Sequence, residues 1–96
     1  MQSEAVYQAK LIKKLRNMFP NCIVVKNDPS ENQGFPDLTV FYGPKWGMLE
    51  VKTSAQASEQ PNQRYHVEQL SKMSYAAFIY PEIENEVLDE LQRVLG

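Results

Sequence analysis

Residues 34–54 read GFPDLTVFYGPKWGMLEVKTS. Two apolar runs, 37–42 and 46–52, meet at Gly43-Pro44, the layout of a β-hairpin. A carboxylate opens the first run at Asp37, and Glu50 and Lys52 close the second. Side chains alternate across a strand, so Met48, Glu50 and Lys52 share one face and Leu49 and Val51 the other. Folding about Gly43-Pro44 brings Asp37 and Glu50 to the same end of the sheet. Two carboxylates held together repel unless a cation or a proton lies between them, and burying either one unpaired is costly. Hard oxygen ligands, few in number and leaving room for water, suit magnesium or manganese.

The rest of the chain frames that pair. Ninety-six residues, 43% hydrophobic and 23% charged, are expected to form a single domain, 1–96, rather than a disordered chain. No apolar stretch approaches the length of about 20 residues that spans a bilayer, so no membrane partner is expected. The opening MQSEAVYQAK lacks the basic-then-apolar layout of a secretion signal, and a cytoplasmic location is expected. The one cysteine, Cys22, has no internal disulfide partner and reads as a buried reduced thiol. A net charge of −2 argues against a dedicated nucleic-acid binder, but residues 1–52 carry seven Lys/Arg against five Asp/Glu, and 53–96 carry three against seven.

Ser3 is a plausible N-cap for a helix running to Met18. Tyr7, Leu11, Leu15 and Met18 make its apolar stripe, with Glu4 in line; Lys10, Lys13, Lys14 and Arg16 are assigned to the opposite side. Glu4 has two readings, a helix-dipole partner at a frayed end or a member of the acidic site. The basic residues also have two, a solvated face or phosphate contact. Cys22–Val25 reads as a first strand and 26–35 as a polar loop. A second helix, capped by Ser58 with Pro61 near its start, runs to about Met73 with Gln63, Val67, Leu70 and Ser74 on one face. Ala76–Tyr80 is a fourth strand. A last helix carries Ile83, Val87, Leu88, Leu91, Val94 and Leu95 on one stripe, which suits the core or a dimer interface. The order is α-β-β-β-α-β-α, an α/β (α+β) chain. Trp46, Tyr42 and Phe41 are expected in the core rather than stacked on bases.

Pro-Asp is also an ordinary turn former, and Glu-x-Lys an ordinary exposed strand pattern. Their conjunction at matching strand ends, with Glu4 and Gln63 on apolar helix stripes, points to a site. Asp37 followed by Glu50-Val51-Lys52 in this order of elements resembles the PD-(D/E)xK nuclease superfamily. The fuller string, Gly34-Phe35-Pro36-Asp37-Leu38, then Leu49-Glu50-Val51-Lys52, then Gln63, resembles the stand-alone VRR-NUC domains of phages and bacteria, themselves similar to archaeal-type Holliday junction resolvases. Such domains often have a glycine before the fourth strand, where this chain has Ser74-Tyr75.

That resemblance implies a restriction-endonuclease-like mixed four-stranded sheet flanked by helices. It makes Asp37, Glu50 and the Val51 carbonyl ligands of magnesium or manganese, with Glu4 a further or water-mediated ligand. Lys52 would orient the attacking water or stabilise the phosphate, and Gln63 would hydrogen-bond the lysine or the water network. Lys10, Lys13, Lys14 and Lys26 are the candidate DNA contacts. His66, the single histidine, is expected to be structural or DNA-facing. The expected activity is a divalent-metal-dependent endodeoxyribonuclease, selective for branched DNA such as four-way junctions and working as a homodimer. The alternatives are a catalytically inactive module that binds nucleic acid or protein, and a non-specific or sequence-specific nuclease.

Overall fold

The computed structural model describes residues 2–28 and 30–96. Met1 of the signal reading and Pro29 of the expected loop lie outside the described residues. The elements are α1 (Glu4–Met18), β1 (Ile23–Lys26), β2 (Leu38–Tyr42), β3 (Lys45–Val51), α2 (Gln63–Met73), β4 (Tyr75–Ile79), a 3-10 turn (Pro81–Ile83) and α3 (Glu84–Leu95). This is the expected order. The sheet runs β1-β2-β3-β4, antiparallel twice and then parallel between β3 and β4. A parallel neighbour cannot be reached by a tight turn, and α2 supplies the crossover.

The hairpin turn is Gly43-Pro44, because Tyr42 already pairs with Lys45. Gly43 sits at φ +61° with open space where a side chain would be. Proline cannot follow it to positive φ, so only the first central residue is left-handed, as in a type II′ turn. That turn matches the strand twist and holds the register in which Leu38 faces Leu49.

One sheet face is the core. Leu38, Val40, Leu49, Val51 and Ile79 meet Tyr7, Leu11 and Leu15 of α1 and Val87, Leu88, Leu91 and Leu95 of α3. Each such buried aliphatic side chain stabilises the fold by about 1.5–3 kcal/mol relative to exposure. The stripe of α3 is therefore used within the chain, and only Val94, 38% exposed, departs from it. Ser3 caps α1, its Oγ accepting from the Val6 N–H at 3.2 Å.

The other face is covered on one half only. α2 lies over β3 and β4, with Val67 buried. Over β1 and β2, Ile23, Val25 and Phe41 remain exposed, and register puts them on a single face. Phe41 thus does not join the core, since no helix reaches it. Tyr42, on the opposite face, packs against Phe19.

Three local expectations change. α2 starts at Gln63 after Asn62 at φ +70°, not behind a Ser58 cap, because the Ser58 carbonyl is taken by Lys52 and a turn at 61–62 intervenes. Lys14 is not opposite the apolar stripe. It lies seven residues from Tyr7, nearly two turns, and forms an ion pair with Glu84 at the start of α3. Ser74 keeps a negative φ, so that turn does not need glycine's left-handed freedom; its hydroxyl donates to the Trp46 carbonyl.

Candidate active site

The β2–β3 ladder ends at the Leu38–Leu49 pair, and one residue further out Asp37 stands across from Glu50. Here a side chain takes over from the backbone. Asp37 Oδ2 accepts the Val51 N–H at 2.8 Å, which turns its carboxylate toward the end of β3. Alternation along β3 sends Leu49 and Val51 into the core and Glu50 and Lys52 to the α2 side. Both polar side chains are nonetheless buried, at 2% and 8% exposure.

Gln63, at the first turn of α2, joins them. Its Nε2 donates to Glu50 Oε2 at 3.1 Å. Its Oε1 accepts from Lys52 Nζ at 2.7 Å and from the Gln60 N–H at 2.7 Å. The amide thus stands between carboxylate and ammonium. Lys52 Nζ also donates to the Ser58 carbonyl at 3.1 Å. Two of its three N–H groups therefore have acceptors among the described residues, and the third is left for a substrate oxygen.

Gln63 is brought here by Gly34. At φ +81°, Gly34 lies so close to α2 that a Cβ would stand 2.5 Å from the Pro61 carbonyl oxygen and 2.7 Å from the Gln63 nitrogen. Phe35 then meets His66 edge-on, and Tyr65 meets it from another side. His66 is accordingly half-buried between two rings.

Burial raises the Glu50 pKa to about 9, helped by a shared hydrogen bond and charge from Asp37 and by Glu4, while Lys52 opposes the shift. Partial burial also raises Glu4, followed by the charge of Asp37. Glu4 belongs to the same electrostatic neighbourhood, and Gln8 Nε2 donates to its Oε2 at 3.3 Å. It stands outside the close pair, however. Among the described residues no three His, Cys, Asp or Glu side chains gather into a metal cage.

The residues present still fit a divalent ion. Glu50 Oε1 is buried and has no hydrogen-bond partner among the described residues. A buried carboxylate oxygen left bare costs about 1–3 kcal/mol or more, and a proton or a cation relieves it. With Asp37 opposite, the donors are hard oxygens, the set that magnesium and manganese take.

The candidate DNA contacts are scattered. Lys26 ends β1 opposite Leu38, at the same sheet end as Asp37. Lys13 is exposed on α1. Lys10 donates to Gln2 Oε1 at 2.9 Å, and Lys14 is occupied by Glu84.

Sequence reasoning missed Asn27 and Gln8. Asn27 Nδ2 donates to the Pro36 carbonyl at 3.0 Å and to Thr39 Oγ1 at 2.9 Å, and its backbone N–H to the Asp37 carbonyl at 2.8 Å. These bonds straddle Asp37 and set its direction. Nothing near Asn27 in the sequence marks it, whereas Gln8 stands four residues after Glu4 and a helical pair count finds it. Where Asp37 acts in catalysis, Asn27→Ala should lower kcat about 100-fold by letting the carboxylate drift, with KM little changed. A purely structural role would instead lower the melting temperature and spare the activity of the folded fraction.

No family model matches the chain, and no curated protein matches it in sequence. Among solved structures it is similar to one described as a VRR_NUC domain protein, at a TM-score of 0.74 and 17% identity, over 100% of this chain and 92% of that one. The fold is of that type. No described helix is long and apolar enough to cross a membrane.

Proposed function

We propose, from the VRR_NUC-type fold as premise, that the chain is a divalent-metal-dependent endonuclease that hydrolyses phosphodiester bonds in DNA. The observation that carries this is the buried Glu50 carboxyl across from Asp37, its Oε1 without a donor among the described residues, with the Lys52 ammonium one amide away. Asp37, Glu50 and the Val51 carbonyl would hold magnesium or manganese, and Glu4 would be a further or water-mediated ligand. When bound, the ion neutralises phosphate charge and lowers the pKa of a water.

The chain's own residues do the rest. Lys52 directs its remaining N–H at the phosphate or the incoming water, adding fixed positive charge where negative charge develops. Gln63 keeps Lys52 from closing onto Glu50 as a direct ion pair, so both stay available. Lys26, at the same end of the sheet, meets the backbone of the strand. A domain that only bound DNA or protein would gain more from basic residues than from Asp37 and Glu50.

The working unit in this reading is a homodimer that prefers branched DNA. Since α3 is used in the core, the surface offered to a second copy is the open half-sheet of Ile23, Val25 and Phe41. A panel of labelled single strands, duplexes, flaps and four-way junctions, with magnesium, manganese or chelator, tests the whole reading. Cleavage is expected only with metal, fastest on junctions, from a species that scatters light as a dimer. Cleavage undiminished by chelator would sink the metal role; a monomer cutting duplex as fast as junctions would sink the assembly.

A further inference from the structure

Across β3 from Asp37, on the β4 side of Lys52, the chain encloses a cleft of about 350 Å³ that the hydrolytic reading leaves unused. Lys52, Phe78, Tyr80 and Ile83 are among its lining, and Ala55 of the connector and Arg64 of α2 line it where it meets solvent. The Arg64 guanidinium carbon lies 4.9 Å from the centre of the Phe78 ring. Glu59 accepts hydrogen bonds from the edge of that guanidinium, at 3.1 Å from Nε and also from its terminal nitrogen, which fixes its plane.

We propose that this cleft is a nucleotide subsite, which receives one unpaired nucleotide of the strand whose adjoining phosphate lies at Lys52. The proposal rests on the phosphodiesterase reading of Asp37, Glu50 and Lys52. Aromatic rings and guanidinium planes hold bases by stacking, with little regard to sequence. The cleft has roughly the bulk of one nucleotide and falls within the range of small-ligand pockets. Glu59 at the mouth repels a second phosphate but tolerates a neutral base. Lys52 belongs to both the hydrolytic cluster and the cleft wall, so a strand can engage the two together.

The geometry has a consequence for substrate choice. In an intact duplex the base next to the cut faces its partner and must be unstacked and unpaired to enter, at a cost of a few kcal/mol. A nucleotide already unpaired at a flap or junction enters without that cost. Selectivity for DNA with an unpaired nucleotide beside the cut then arises without base-specific contacts.

The test uses the Asp37→Asn variant, expected to bind without cutting, and short single strands carrying 2-aminopurine at successive positions. Quenching is expected at one position. Ala55→Trp, added to fill the mouth from an exposed connector, should abolish that quenching and weaken binding about tenfold relative to fully paired duplex. Tyr80→Leu should weaken it in the same sense, and melting temperatures check that both variants fold. Equal quenching at every position, or quenching that survives Ala55→Trp, overturns the subsite. So does free 2-aminopurine nucleotide binding as tightly as the strand, because the strand then contributes nothing. Cleavage of the same strands by the parent protein separates the two readings. Absent cleavage with position-specific quenching removes the nuclease reading alone, and cleavage without such quenching removes the subsite alone.

Discussion

Asp37→Asn should lower metal-dependent cleavage by roughly 1,000-fold or more, since the lost charge stabilisation amounts to several kcal/mol at about 1.4 kcal/mol per tenfold. The side-chain oxygen of asparagine can still accept the Val51 N–H, so the ladder end and the fold should survive, and DNA binding with them. The same change removes one of the charges that oppose ionisation of Glu50. Glu50 keeps its proton at neutral pH, so no repulsion is relieved there and, without metal, the variant should melt close to the parent. Circular dichroism melts beside a cleavage assay read both effects. Full activity of the variant with magnesium would falsify the metal assignment.

A pH-dependent stability without metal is the second large effect. Glu50 has a folded pKa of about 9 against an ordinary 4.5, with burial the main cause. Between those values the folded chain keeps a proton that the unfolded chain has released. Stability must then fall as pH rises through the window and level off above it. Glu50→Gln carries no titrating proton and should flatten this part of the profile; only the difference in slope between the two proteins is diagnostic. A divalent ion held there would take the place of the proton, so the gain in melting temperature with magnesium should be larger near about pH 9 than near about pH 5. Parallel profiles for parent and variant would mean that Glu50 ionises freely in the fold.

How much of this was legible depended on the range of each interaction. The hairpin and the placement of Glu50 and Lys52 follow from alternation and one tight turn, both local, and they were readable. Gln63 was readable because helical periodicity put it on the stripe of Val67. The start of α2 was not. Ser58 has the chemistry of a cap, but its carbonyl is used by Lys52, a contact that sequence spacing does not encode. Asn27 acts through bonds to Pro36, Asp37 and Thr39 that exist only once β1 and β2 pair. Lys14 was misplaced by a count around the helix, and its pairing with Glu84 spans 70 residues. The apolar stripe of α3 was visible, but only the packed fold shows that Gly47 and Leu91 approach closely enough to bury it.

The hydrogen bond from the Val51 amide to Asp37 Oδ2 has a practical consequence. It ties one backbone proton to the carboxylate on which the proposed chemistry turns. Whatever draws electron density from that oxygen, whether a proton, a cation or a displaced carboxylate, must weaken the bond and move the amide's proton and nitrogen resonances. Val51 is buried within a strand, so its signal is shielded from bulk solvent and from surface events. A single cross-peak in an isotope-labelled sample thus serves as a built-in gauge of the site, readable with no substrate, no cleavage and no mutation.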